Sequence, residues 1–298
     1  MRKYLLKYEM IYYVCNCPEN IIIPTNDFLA YEYYENKKNK NFMKLFDKQI
    51  IAETQLLENG DKNKMPSKFP VIIRPKINLY GMGKDAYYGY KMEDIRNINQ
   101  ENFWCEVLEG KFYGVDIFLN KNGIQGIIAF EGIRGKLFTF DYWEYMPNYK
   151  LSKNIVNWIN KYMTGLNGVF NLEILDGKII ECNMRLGDSN FFQSKEITYC
   201  IIDCYLNKDL ILPKFIPKIY LIPVFVKKGD YKELSENNLY QIVRKFDKKN
   251  KYVLNFLIDP INDIGNPEGG DRVCNFTVID LDIGKKIRKY ILENIFFY

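Results

Sequence analysis

The stretch that most constrains this chain is Gly168–Asp188, GVFNLEILDGKIIECNMRLGD. Two short apolar runs, Val169–Leu175 and Lys178–Cys182, flank Asp176–Gly177, which reads as a β-hairpin. Onto strands otherwise built of Val, Leu and Ile it loads Asn171, Glu173, Glu181, Asn183, Arg185 and Asp188. Side chains alternate faces along a strand, so Glu181 and Asn183 share one face. The place of Glu173 depends on the turn. A two-residue turn pairs Leu175 with Lys178 and sends the two glutamates to opposite faces, because a one-residue slip inverts a strand. A three-residue loop, Leu175–Gly177, pairs Ile174 with Lys178 and brings both glutamates to one face; Gly177 suits its left-handed last residue. Two carboxylates on one face repel unless a cation lies between them. Mg²⁺ takes one or two carboxylates together with phosphates and waters, and Glu173, Glu181 and the Asn183 amide oxygen form such a donor set. Arg185 adds a planar cation suited to phosphate or carboxylate.

The order Glu173 … Glu181-x-Asn183-x-Arg185 resembles the metal-binding signature of the ATP-grasp superfamily. Its continuation, Arg185-x-Gly187-Asp188, is similar to the variant found in glycinamide ribonucleotide synthetase. Upstream, Val71–Arg74 reads as a buried strand ended by Pro75, and Gly81-Met82-Gly83-Lys84 as a mobile loop. Backbone amides with a lysine are suited to close over a triphosphate. This pair resembles the family's PVVVKP strand and glycine-rich loop, with Arg74 in the place usually held by lysine, as in carbamoyl-phosphate synthetase. The segment WCEVLEG is similar to the family's hinge, which places Glu106, Val107 and Leu108 at the adenine edge. Phe112 stands where relatives carry a ribose-binding glutamate, and Asp116 is the candidate substitute. Lys48, on a helix spanning Phe42–Glu58, matches a cation that the family often places before the phosphate loop. Gly269–Val273 resembles the GGRVL region of glycinamide ribonucleotide synthetase, with Asp271 inserted.

Composition narrows the chemistry. The 298 residues contain no histidine, which excludes Ser–His–Asp and Cys–His catalysis and His-ligated zinc. Phosphoryl transfer, which depends on positioning and charge neutralisation, survives that exclusion. A net charge of +5 suits phosphorylated small molecules and is too scattered for nucleic acid. Seven cysteines without CxxC pairs read as buried thiols in a reducing compartment. No apolar run reaches the ~18–20 residues of a membrane span, and Lys7 and Glu9 interrupt the N-terminal apolar stretch, so no signal peptide is expected. A cytoplasmic location follows, in a host cytoplasm if the Lys-, Asn- and Ile-rich composition reflects a viral or phage source.

The remaining chain reads as strands at Met10–Val14, Asn20–Ile23, Lys111–Asn120, Gly123–Phe130, Ile219–Val226, Tyr252–Ile258 and Arg272–Ile279. Helices are expected at Leu151–Thr164, Phe191–Leu206, Leu234–Lys245 and Ile283–Ile291, with loops at Lys37–Lys40, Gly132–Gly135 and Asp141–Glu144. The resemblance implies an α+β ATP-grasp fold, two α+β lobes enclosing ATP, with a truncated N-terminal region (1–45). It places the ATP-grasp domain at 46–210, with a small lobe at about 65–110 and a large lobe at about 111–210. A small C-terminal α/β region (211–298) completes the expectation. It implies ATP and Mg²⁺ (Mn²⁺ as an alternative ion), with Glu173, Glu181 and Asn183 on the metal. Lys48, Arg74, Lys84, Glu106, Val107, Leu108 and Asp116 fall on the nucleotide, and Arg185 and Lys84 act on the transferring phosphoryl. The activity implied is ligation of a small-molecule carboxylate to an amine through an acyl phosphate. The alternatives are a small-molecule kinase on the same fold and a nucleotide-binding protein without turnover.

Overall fold

The computed structural model describes residues 23–24, 26–36, 40–79, 81, 83–135, 139–187, 195–215, 218–226, 236–249, 251–258, 265–266 and 270–294. The expected strand Met10–Val14 and most of Asn20–Ile23 lie outside these residues, as do Met82 and Asp188. Helix α1 (Asp27–Asn36) begins where Asn26 caps it, its Oδ1 accepting from Leu29 N at 2.8 Å. The helix expected over Phe42–Glu58 is broken into α2 (Lys40–Met43), a 3₁₀ turn (Lys44–Phe46) and α3 (Lys48–Thr54). The break falls at Asp47, whose carboxylate accepts from Gln49 N and Ile50 N and so starts a new helix instead of continuing the old one.

Two sheets follow. The smaller is four-stranded, in the order β1 (Asn59–Gly60), β4 (Asn102–Glu106), β2 (Val71–Pro75), β3 (Tyr87–Gly89), with α4 (Met92–Arg96) between β3 and β4 in the chain. Val71, Ile73, Ile95 and Trp104 form its core. The larger sheet carries β5 (Phe112–Asn120), β6 (Gly123–Arg134), β7 (Phe140–Tyr145) and the hairpin β8 (Gly168–Leu175) and β9 (Lys178–Asn183). Asp141–Glu144, expected as loop, is thus inside a strand. Its register against β6 sets Gly132 opposite Trp143, and the missing side chain admits the Phe140 and Trp143 rings.

Alternation sorts this sheet into two faces. Val115, Ile117, Phe170, Leu172, Ile174 and Ile179 point toward the N-terminal helices and α5 (Lys153–Tyr162), where Ile155, Trp158 and Ile159 fill the core. Phe118, Ile128, Phe130 and Val169 face the other way and are covered by α6 (Lys195–Tyr205). Trp158 Nε1 donates to Thr54 Oγ1 at 2.7 Å and ties α5 to α3.

The C-terminal region is not a detached piece. Its strands β10 (Tyr220–Val226), β11 (Val253–Ile258), β12 (Gly265–Asn266) and β13 (Gly270–Val278) extend the larger sheet to nine strands. The seam is short, Tyr220 and Leu221 of β10 pairing with Glu144 and Trp143. Helices α7 (Glu236–Phe246) and α8 (Leu281–Asn294) bury Leu239, Ile287 and Ile291 against Ile222, Val224, Phe276 and Val278. The cysteines at 105, 182, 200, 204 and 274 are buried. Among the described residues no helix is long and apolar enough to cross a membrane.

Candidate active site

The hairpin resolves its own ambiguity by a route neither simple turn allows. Leu175 does pair with Lys178 across a two-residue turn, and Asp176 (φ 51°) and Gly177 (φ 72°) take the paired left-handed conformations such a turn requires. The register then shifts by one residue, at Ile180, and Glu173 lies directly opposite Glu181, with Asn171 opposite Asn183. A β-bulge of this kind re-aims side chains beside functional sites. It puts the two carboxylates and the two amides on one face, in adjacent rows.

Like charges directly opposite one another are destabilising, and the surroundings show how the protein accommodates them. Lys48 Nζ donates to Glu181 Oε2 at 2.6 Å. Lys48 is therefore not a solvated helix lysine; only 6% of it is exposed. Glu173 is left without that partner. Burial, then the Glu181 charge, push its carboxyl up to about 8, against the opposing pull of Lys48, Arg185 and Arg74. Arg74 reaches over from the smaller sheet, its Nη2 donating to Ile180 O at the bulge (3.2 Å). Its Nε is buried with no hydrogen-bond partner among the described residues. An unpaired guanidinium N–H is suited to an incoming anion.

Arg185 is held by a residue that the sequence pattern did not single out. Its Nε and Nη2 donate to Asp27 Oδ1 and Oδ2 at 2.9 and 2.8 Å, a bidentate clamp from the first turn of α1. Burial opposes the guanidinium charge, but Asp27 and the two glutamates outweigh it and raise its pKa. Nothing in the sequence local to Asp27 announces a partner 158 residues away.

The Asn183 amide has two orientations. With Nδ2 donating to Asn171 Oδ1 (3.2 Å), its oxygen lies 3.1 Å from Glu181 Oε1 and 3.2 Å from Asp27 Oδ1. Turned over, it would donate to both carboxylates but set its oxygen against Asn171 Oδ1. Asn171 cannot turn to meet it, because its Nδ2 already donates to Asp116 Oδ1 at 2.8 Å. The first orientation makes three oxygens converge, an arrangement a bound cation would stabilise. Among the described residues no group of three or more Cys, Asp or Glu is arranged to hold a metal.

The other expected residues are placed as follows. Asp116, expected at a ribose, is 1% exposed, and its Oδ1 accepts from Asn171 Nδ2 and from Gly187 N (3.1 Å). A carboxylate so engaged inside the protein supports the hairpin, and the ribose contact is not carried forward. Phe112 packs on Phe140 and Trp143, at ring distances of 4.7 and 5.6 Å. Glu106 closes β4, its N–H donating to Glu58 O and its Oε1 accepting from Glu58 N, both at 2.8 Å. Val107 and Leu108 then form the link between the two sheets, beside the hairpin tip, where Asp176 N donates to Lys111 O. Lys84 lies in the turn between β2 and β3, its N–H donating to Gly81 O at 3.1 Å. Lys48, Arg74, Glu173, Glu181, Asn183 and Arg185 are thus gathered at one end of the hairpin. Glu106–Leu108 mark a second place at its tip.

Solved structures share this pairing of a small sheet with a larger antiparallel sheet at low sequence identity, and the shared fold is the ATP-grasp fold. Carboxyaminoimidazole ribonucleotide synthase from Aspergillus clavatus, complexed with ATP, has a TM-score of 0.58 at 10% identity, covering 89% of this chain and 78% of its own. Phosphoribosylglycinamide synthetase from Anaerococcus prevotii has a TM-score of 0.54 at 16% identity, covering 91% and 80%. An L-amino acid ligase from Bacillus licheniformis has a TM-score of 0.55 at 9% identity, covering 90% and 77%. No family model matches the sequence, and no curated protein matches it either.

Proposed function

We propose that the chain is an ATP- and Mg²⁺-dependent ligase that joins a small-molecule carboxylate to an amine through an acyl phosphate. The observation that carries this reading is the convergence of Glu173, Glu181 and the Asn183 amide on one hairpin face, ringed by Lys48, Arg74 and Arg185. Glu173, Glu181 and Asn183 would hold the cation, which when bound neutralises the triphosphate and aligns its terminal phosphoryl group. Arg74 offers its unpaired Nε to a phosphate from the smaller sheet. Arg185, fixed in orientation by Asp27, stabilises negative charge developing on the transferred group. Lys48 holds Glu181 in place while the site is being filled. No side-chain nucleophile is needed, in keeping with the absence of histidine. The likeness to an ATP-bound synthase and to an amino acid ligase supports the same assignment.

The test is a screen of small carboxylates and amines for release of ADP and phosphate with Mg²⁺-ATP. Release that requires both a carboxylate and an amine is expected. ADP release that needs no amine, with a stable phosphorylated product, would identify a kinase instead.

A further inference from the structure

We propose that Asp116 and Asn171 are positioning residues that fix which end of the Asn183 amide faces the cation; the inference rests on the metal reading of Glu173, Glu181 and Asn183. An amide is a donor on one arm and an acceptor on the other, so a buried one serves as a ligand only if something sets its direction. Here a one-way chain of bonds does so. Asp116 is an acceptor, takes Nδ2 of Asn171 at 2.8 Å, and is buried. That leaves Asn171 with its oxygen toward Asn183, which must answer with Nδ2, at 3.2 Å. The Asn183 oxygen is then turned toward Glu181 and Asp27, at 3.1 and 3.2 Å.

The backbone after β9 closes this chain of bonds from above. Gly187 N donates to Asp116 Oδ1 at 3.1 Å. A Cβ at Gly187 would lie 2.3 Å from Asp116 Oδ1 and 2.4 Å from Asn171 Nδ2, so the segment can seat on the pair only with glycine. Without the pair, the two carboxylates beside Asn183 would draw its Nδ2 toward themselves, and the amide would present a donor where a cation needs an oxygen.

The experiment is a double-mutant cycle on the full chain, read by Mn²⁺ binding in electron paramagnetic resonance. Mn²⁺ is titrated alone and then with a non-hydrolysable ATP analogue. Asp116→Leu with Asn171→Leu replaces both partners by apolar groups of similar shape, which limits the cost to folding. Mn²⁺ affinity is expected to fall about tenfold or more, the usual effect of losing an outer-shell partner. In an Asn183→Asp background, where either arm is an oxygen, the same pair should change affinity by less than about twofold. Unchanged affinity in the parent background would overturn the proposal, and so would an equal loss in both backgrounds, which marks a merely structural effect. Should the pair not fold, Asn171→Leu replaces it in the same cycle. If the parent protein binds no Mn²⁺ in either condition, the metal reading itself is overturned, a result distinct from the others.

Discussion

Replacing Glu173 by Gln should make the ligand-free protein more stable while removing its activity. Folding raises the Glu173 carboxyl from 4.5 to about 8, through burial and the facing Glu181. Below about pH 4.5 the group is protonated in both the folded and unfolded chain. Between 4.5 and 8 the unfolded chain is ionised while the folded one keeps its proton, so unfolding releases a proton. The stability contribution present at low pH is therefore lost as pH rises through about 8, at a slope of about 1.4 kcal/mol per pH unit. Local rearrangement and entry of water as Glu173 ionises leave on the order of 3 kcal/mol of this between pH 5 and 8.5. Gln mimics the protonated form at every pH, so the variant lacks this loss. Thermal denaturation from pH 5 to 9 should show the two proteins diverging, with Glu173→Gln several degrees higher in Tm at pH 8.5 and without Mg²⁺-dependent ADP release. Parallel pH–stability curves would refute the reasoning.

Other outcomes follow from the same geometry. Lys48→Met should cost on the order of 2–3 kcal/mol in chemical denaturation, because it leaves the half-buried Glu181 opposite Glu173 with its 2.6 Å partner gone; adding Glu181→Gln should recover part of that loss. Asp27→Asn should cost about 2–3 kcal/mol by breaking the clamp on Arg185, and should lower turnover more than ATP affinity. Asp247→Asn should destabilise the turn after α7 by about 2 kcal/mol, because its carboxylate accepts from Lys251 N, Tyr252 N and Val253 N. Burial opposes the Asp247 charge, but those donors hold its carboxyl below the usual range. Its contribution is thus complete above the ordinary carboxylate pKa and is lost as pH falls toward the lowered one; an acid-denaturation series comparing the two proteins checks this.

The hairpin was legible because its chemistry is local. Polar residues at period two on Val- and Ile-rich strands stand out, and the resemblance of Glu181-x-Asn183-x-Arg185 to a known signature needs only five consecutive positions. The β-bulge at Ile180 was not legible, since an extra residue in one strand leaves no mark distinct from a longer loop. Long-range partners escaped for the same reason. Asp27 meets Arg185, and Asp116 meets Asn171, only after the sheet is assembled. The Asp47 cap that splits the N-terminal helix was overridden in the sequence by an apolar periodicity running across it. Asp141–Glu144 was read as loop because nothing in its composition marks a strand; in the fold Trp143 packs with Phe140 on the gap left by Gly132.

The central claim is that the hairpin's oxygens bind a divalent cation beneath the phosphates of ATP. Calorimetric titration of ATP into the protein, with and without Mg²⁺, measures it directly when the parent chain and Glu181→Ala are compared. The account predicts tight binding that needs Mg²⁺ in the parent and loses its Mg²⁺ dependence in the variant. ATP affinity that is equal with and without Mg²⁺ in the parent chain would contradict it.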